Sequence, residues 1–144
     1  MKRIQTFAVP MLALLAMTAC ATTRESDADK LTRYTAFAGP PVASIRYGSA
    51  GSQGFDVVDD RHVVLDVRPR EAYLLRIDGP CLAYERGSPT LGISSQFGRI
   101  SAGFDRVTVA SQRGMSCIIG QIRPVDLRAM RAAEKASAAQ PSGT

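Results

Sequence analysis

The stretch VVLDVRPREAYLLRIDGP, residues 63–80, decides the fold class of this chain. Apolar side chains occupy every second position within residues 63–67 and again within residues 72–77, so each run has an apolar face. The link at residues 68–71 is short enough for a hairpin, and Asp78-Gly79-Pro80 follows as a second turn. The segment therefore predicts two adjacent antiparallel strands.

Outside this hairpin, short apolar runs alternate with Gly, Pro, Asp and Ser, which is typical of successive strands. Further strands are predicted at residues 44–47, 55–58, 81–84, 93–95, 106–109 and 117–122. Turn signals recur at spacings of about ten residues, which favours an antiparallel meander. The predicted fold class is mainly β, a small barrel-like or sandwich-like meander.

One helix is predicted, at the C-terminal end of the domain. Asp126 can cap residues 127–136, in which the two sizeable apolar side chains lie on one side and can pack on the sheet. Residues 137–144 are small and polar, and they are predicted to form a disordered tail. The predicted β-rich domain with its C-terminal helix thus spans residues 42–136.

Residues 1–19 have the pattern of a lipoprotein signal peptide. A basic start and the apolar residues 7–15 precede Thr-Ala and Cys20. The apolar segment is too short to span a bilayer, which takes roughly 20 residues. The pattern predicts cleavage before Cys20 and acylation of its sulfur. Residues 20–41, which are polar and end in Gly-Pro-Pro, are predicted to be the acylated cysteine and a flexible tether.

The charge of the chain is weakly basic. Its formal net charge is +5, and removal of the signal would lower it to +3 because Lys2 and Arg3 leave with it. The arginines are scattered between Arg24 and Arg131 without a run of like charge, which favours a solvated surface of mixed charge. Nucleic-acid binding needs a concentrated basic footprint, so no nucleic-acid partner is predicted.

The chain has three cysteines, and two of them remain available for a disulfide once Cys20 carries a lipid. In the oxidising compartment that an exported chain reaches, Cys81 and Cys117 are predicted to form a disulfide. A metal site and a redox pair are the alternatives. A metal site would need further soft ligands, yet His62 is the single histidine and no Cys-x-x-Cys occurs. No metal and no cofactor is predicted.

No catalytic residue is predicted, because no candidate belongs to a catalytic pattern. The glycine-rich residues 48–54 lack the Gly-Lys-Ser/Thr of a phosphate loop. His62 is a candidate general base, but the chain has no Gly-x-Ser-x-Gly motif to supply a serine nucleophile. Four aspartates close in sequence could act as an acid and base pair, but turn formation explains them more simply. They are Asp56, Asp59, Asp60 and Asp66.

Two pairs of short blocks carry a resemblance to a known family. They are Tyr73-Leu74-Leu75 with Gly79-Pro80-Cys81, and Cys117-Ile118-Ile119 with Ile122-Arg123-Pro124-Val125-Asp126. In these blocks the chain resembles a family of small envelope lipoproteins of Gram-negative bacteria, a domain of unknown function. The resemblance implies a shared fold with Cys81 and Cys117 as its framework, and it implies no activity. Members often carry a tryptophan near Phe55, and this chain has none.

The expected role is non-enzymatic. Acylated Cys20 would hold the protein by membrane lipid on the periplasmic face of the outer membrane, because Ala21 and not aspartate follows the cysteine. The domain would bind or support an envelope protein or an anionic polymer, with Arg68 and Arg70 at the tip of the best-defined hairpin. The alternatives are an envelope hydrolase that uses the aspartate carboxylates, and a soluble periplasmic protein cleaved after Ala21.

Overall fold

The computed structural model describes residues 25–48, 54–83, 85 and 89–139. The elements of this part of the chain are α1 (Asp27–Ala36), β1 (Ser44–Arg46), β2 (Gly54–Val57), β3 (His62–Arg68), β4 (Glu71–Asp78), β5 (Leu91–Ile93), β6 (Arg99–Ser101), β7 (Arg106–Val109), β8 (Ser116–Val125) and α2 (Leu127–Ala139). The prediction of a mainly β chain with a C-terminal helix is confirmed. Within the described ranges, no helix is long and apolar enough to cross a membrane.

The main sheet is antiparallel and nearly closed, like a barrel. Its strands lie in the order β2-β3-β4-β8-β7-β5, while β1 and β6 pair as a separate two-stranded ribbon. The predicted hairpin forms the middle of the main sheet, where β3 and β4 pair from His62↔Arg76 to Arg68↔Glu71. Pro69 and the residue after it form the turn between these strands. The predicted antiparallel, barrel-like sheet is confirmed, and β2, β3 and β4 follow one another as in a meander, but β4 then pairs with β8 and not with the next strand of the chain.

Both faces of β3 and β4 are buried. Val63, Leu65 and Leu75 belong to a core inside the curved sheet. Val64 and Leu74 point to the other face, where they pack with side chains of α1 and α2 in a second core. The alternation in the sequence indicated the first core alone. The helices bury the second, which is why apolar residues also occupy positions that an exposed sheet face would leave polar.

Helix α1 lies within the predicted flexible tether over residues 20–41. The Ser26 hydroxyl caps the helix by accepting from the backbone N–H of Asp29 at 3.1 Å. Tyr34 is buried against the sheet, and Arg123 fixes the chain beyond the helix by donating to the Ala38 and Gly39 carbonyls. The tether prediction is wrong from residue 27 onward because a single apolar face in a polar segment is enough for docking.

Three smaller predictions are also corrected. Residues 81–83 form a turn and not a strand, with the Ala83 N–H donating to the Pro80 carbonyl. Strand β6 was not predicted, because three residues are too few to show alternation. Helix α2 extends to Ala139, so the predicted disordered tail over residues 137–144 begins too early.

The Cys81–Cys117 disulfide is present, which confirms the predicted pairing. Cys81 lies in the turn after β4, and Cys117 lies near the start of β8. Both residues are buried in the inner core. The bridge therefore ties the central hairpin to the last strand of the sheet.

Candidate functional site

Six exposed arginines lie along one end of the domain, and we call this surface the arginine edge. Its members are Arg46, Arg68, Arg70, Arg99, Arg128 and Arg131. They line three shallow depressions of about 430, 460 and 460 Å³. The first and second depressions share Arg68, and the second and third share Arg70, so the basic surface is continuous.

The β3–β4 turn supplies the middle of the arginine edge. Arg68 Nη1 donates to Glu71 Oε2 at 3.2 Å, and the Arg68 side chain remains 65% exposed, so this ion pair contributes little stability. The second oxygen of Glu71 accepts from the Tyr73 hydroxyl at 2.6 Å. Burial, followed by this contact with Glu71, raises the pKa of Tyr73 to about 12. Glu71 is therefore shared between a structural tyrosine and one arginine.

The β1–β6 ribbon supplies one end of the arginine edge. Arg46 and Arg99 lie directly opposite each other in the ribbon register. Like charges at directly paired positions destabilise a sheet. Arg99 Nη2 donates to the Ser44 hydroxyl at 2.6 Å, which orients the side chain but does not neutralise it. Arg46 and Arg99 therefore place two positive charges side by side, and their repulsion does not stabilise the fold.

Helix α2 supplies the other end, through Arg128 and Arg131. Asp126 lies beside them, but its carboxylate caps the helix by accepting from the backbone N–H groups of Arg128 and Ala129 at 3.0 and 2.9 Å. Five of the six arginines make no ion pair with any residue that the structure describes. They are Arg46, Arg70, Arg99, Arg128 and Arg131.

Phe97 projects from the arginine edge into solvent. Its side chain is fully exposed, and it lines the same depression as Arg46, Arg68 and Arg99. Gln96 and Arg99 exchange two backbone hydrogen bonds of 3.0 Å around a turn in which Phe97 has φ 51° and Gly98 has φ 70°. Asn and Gly are the residues that such a turn prefers, since a bulky side chain is strained at positive φ. Phe97 thus has a backbone conformation that folding does not favour, and its side chain is not buried.

Two of the predicted carboxylates lie on the sheet face covered by the helices. Lys30 of α1 donates from Nζ to Asp56 Oδ1 at 2.5 Å and to the Val57 carbonyl at 2.9 Å. Asp66 lies on the same face of the neighbouring strand. Burial, followed by the negative charge of Asp56, raises the pKa of Asp66, and Arg131 opposes the shift.

The other two carboxylates lie in the β2–β3 turn. Asp59 Oδ1 accepts from the backbone N–H groups of Arg61 and His62, both at 2.7 Å, and contacts His62 Nδ1 at 2.9 Å. Asp60 is exposed beside it. The structure therefore brings Asp56 and Asp66 together but separates them from Asp59 and Asp60. The interpretation as a turn-forming residue is confirmed for Asp59, and it is wrong for Asp56 and Asp66, which lie within β2 and β3.

Other sequence candidates fall partly or wholly outside the described residues. Cys20 lies outside them, and so do residues 49–53 of the glycine-rich segment. In the part of the chain that the structure describes, no group of three or more His, Cys, Asp and Glu side chains is placed to hold a metal ion.

Comparison with known proteins places the chain in a family. The model of one protein family, described as a family of unknown function (DUF6491), matches residues 1–141. The chain belongs to DUF6491. No curated protein and no solved structure matches it.

Several notable residues of this DUF6491 protein were not singled out from its sequence. Arg46 and Arg99 are far apart in the chain, and only the ribbon register makes them neighbours. The Phe-Gly pair at Phe97 was a readable turn signal next to an arginine. Asp105 is 2% exposed, and its role is structural, since its carboxylate accepts from the Ser94 hydroxyl and the Ser101 N–H, both at 2.7 Å.

Proposed function

We propose that this DUF6491 protein is an envelope lipoprotein, acylated at Cys20, whose β domain binds an anionic component of the envelope. The observation that carries the proposal is the arginine edge, a continuous basic surface on which five arginines make no ion pair with a described residue. Arginine presents a planar fork of donors that matches carboxylates and phosphates. The edge therefore suits an acidic ligand.

Two features of the edge reduce folding stability, which supports a binding role. The paired charges of Arg46 and Arg99 repel each other, and Phe97 is held at a positive φ. Local departures from the rules of folding are expected at functional sites, where a ligand and not the fold accounts for them. An anion between Arg46 and Arg99 would turn their repulsion into attraction.

The anchor in this proposal would lie close to the folded domain. Glu25 is bound to α1, because Arg33 donates from Nε and Nη2 to its two oxygens at 2.9 and 2.8 Å. From Cys20 to Glu25 the chain can reach at most about 18 Å. An acyl group at Cys20 would thus keep the domain at the membrane surface. Ala21 after the cysteine supports outer-membrane sorting, with the domain on the periplasmic face.

The anchor is tested by a Cys20→Ser substitution, fractionation and intact-mass measurement. The wild-type protein is expected to carry the mass of the acyl groups and to need detergent for release. The variant should remain unprocessed or become soluble. If it still fractionates with membranes at its normal processed mass, acylation is not the anchor. A mass that matches cleavage after Ala21 without lipid would instead identify a soluble periplasmic protein.

The binding surface is tested by crosslinking in cells with an Arg68→Ala/Arg70→Ala variant. Crosslinks to an envelope component should weaken, and those of the wild type should weaken in the same way as salt is raised. Arg61→Ala/Arg113→Ala is the matched control, since it removes the same charge from exposed residues outside the edge. Equal loss in both variants would mean that net charge, and not this surface, governs the contact.

A hydrolase is the second candidate, and the raised pKa of Asp66 beside Asp56 favours it. Against it, Lys30 already binds the Asp56 carboxylate. The discriminating measurement is turnover of envelope glycan and ester substrates by the purified protein. Activity that disappears in Asp66→Asn, with the fold intact, would replace the binding proposal with an enzymatic one.

A further inference from the structure

We infer that the ligand of the arginine edge is an acidic glycan strand, with carboxylates bound by the arginines and a sugar ring stacked on Phe97. This inference rests on the proposed function and specifies its ligand. It draws on the shape of the edge, the presentation of Phe97 and the position of the edge relative to the chain's N-terminal end.

The shape of the edge fits a linear polymer. Its three depressions lie in series, because neighbouring ones share Arg68 or Arg70. A single small anion would need its ligands to converge on one point. Here the arginines come from the β1–β6 ribbon, the β3–β4 turn and α2, so their charges are spread along a line. Repeated carboxylates on a strand can pair with such a line of donors.

Phe97 fits the sugar part of the ligand. Its ring is fully exposed at the tip of a tight turn, beside Arg46 and Arg99. The face of a sugar ring presents C–H groups, and an aromatic ring with its negative π face attracts them. The ring is not covered by any part of the described chain, so its face is open to a ligand. Phe97 therefore offers an aromatic face beside the guanidinium groups of Arg46 and Arg99, and this arrangement suits an acidic sugar.

A protein partner fits this surface less well. Arginine and aromatic residues are enriched in protein interfaces, but the fully buried centre of such an interface is largely apolar. The arginine edge has no such apolar centre, because Phe97 is the one exposed large apolar side chain among its described residues. The edge therefore matches an acidic polymer better than the surface of a folded protein.

The anchoring membrane is also a poor fit, because the edge lies at the far end of the domain. Asp27, at the start of α1, lines a depression with residues 59–62 at the beginning of β3. Arg68 lies at the other end of that strand. Seven residues of strand span about 20 Å. The chain that would carry the lipid thus joins α1 at the end of β3 opposite Arg68, so the arginine edge is not the surface nearest to this junction.

The test compares polymers of matched charge on the full-length, detergent-solubilised protein. Fluorescence anisotropy reports binding of labelled oligogalacturonate, an acidic glycan, and of polyglutamate, which carries carboxylates without sugar rings. Wild type should prefer the glycan. Phe97→Asn, which suits the turn, should weaken glycan binding about tenfold and leave polyglutamate binding unchanged. Phe104→Asn is the matched control, since Phe104 is exposed outside the edge and its loss should change neither.

The outcomes separate this inference from the proposed function. If Arg46→Gln/Arg99→Gln weakens both polymers while Phe97→Asn affects neither, the edge binds anions but the glycan assignment is wrong. If neither arginine variant nor salt alters binding, both proposals are wrong. A membrane arm uses protein reconstituted into phosphatidylcholine or phosphatidylglycerol vesicles. Loss of glycan binding on the anionic vesicles, at a salt concentration at which the protein in detergent still binds the glycan and repulsion by the vesicle is screened, would show that the edge faces lipid, which overturns the inference.

Discussion

Removing the Cys81–Cys117 disulfide is expected to destabilise the domain strongly. In the Cys81→Ala/Cys117→Ala variant, the unfolded chain regains the freedom of a loop closed across a separation of 36 residues. The chain-entropy relation assigns about 4 kcal/mol to a loop of this size. Since domains of this size are stable by roughly 5–15 kcal/mol, the loss is a large share of the free energy of unfolding. It corresponds to a fall in Tm of roughly 15 °C.

Urea denaturation followed by circular dichroism measures this effect. The midpoint of the double variant should fall markedly, and wild type unfolded in reductant should reproduce it. Cys81→Ala alone should be nearly as unstable as the double variant, because the bridge is absent from both. Reductant should leave the double variant unchanged, which controls for effects on the rest of the chain.

Two results would refute the reasoning. One is an unchanged midpoint in the double variant, which would mean that loop closure contributes nothing to stability. The other is the finding of free thiols at Cys81 and Cys117 in protein isolated without reductant. A loss confined to one single variant would show that packing of that side chain in the inner core, and not the covalent bridge, matters.

Three further changes test the remaining features. Phe97→Asn should stabilise the domain by about 1 kcal/mol in urea denaturation, because Asn tolerates a positive φ; a loss of stability would contradict the strain argument. Tyr34→Ala should cost about 3 kcal/mol, whereas a neutral result would mean that α1 is not docked. The pKa of Asp66 is raised in the folded protein, so ionisation of this carboxyl opposes folding. The stability that the protonated carboxyl gives is present at low pH, and it is lost as the pH rises through the pKa that Asp66 has in the folded protein. Asp66→Asn should therefore raise the urea midpoint at neutral pH, by an amount that disappears in acid; a constant difference would exclude titration of Asp66.

The sequence was most informative where burial is periodic. Residues 63–77 show strict alternation around a short link, and they form β3 and β4 as predicted. Helix α1 was missed because its segment is polar apart from one face, and docking of that face depends on a sheet far along the chain. The apolar periodicity of a short segment does not show which distant part of the chain the segment packs against.

The candidate site was harder to predict than the fold. Arg68 and Arg70 were singled out because they flank a hairpin that the sequence defines locally. Arg46 and Arg99 join them through pairing of β1 with β6, two short strands separated by most of the domain. Strands of three residues carry too little pattern to fix their register, so the surface that they build could be found only from the structure.

The attachment of α1 determines how the domain would respond to mechanical force. A pull on the N-terminus loads α1 before any strand, because the helix precedes the sheet in the chain. Its main polar attachments to the sheet are the contacts of Lys30 with Asp56 and the Val57 carbonyl. The disulfide lies beyond β4, and it protects only the chain between Cys81 and Cys117 from extension. Under tension, α1 should therefore detach from the sheet first. Its detachment would lengthen the connection between the N-terminus and the sheet while the sheet stays folded.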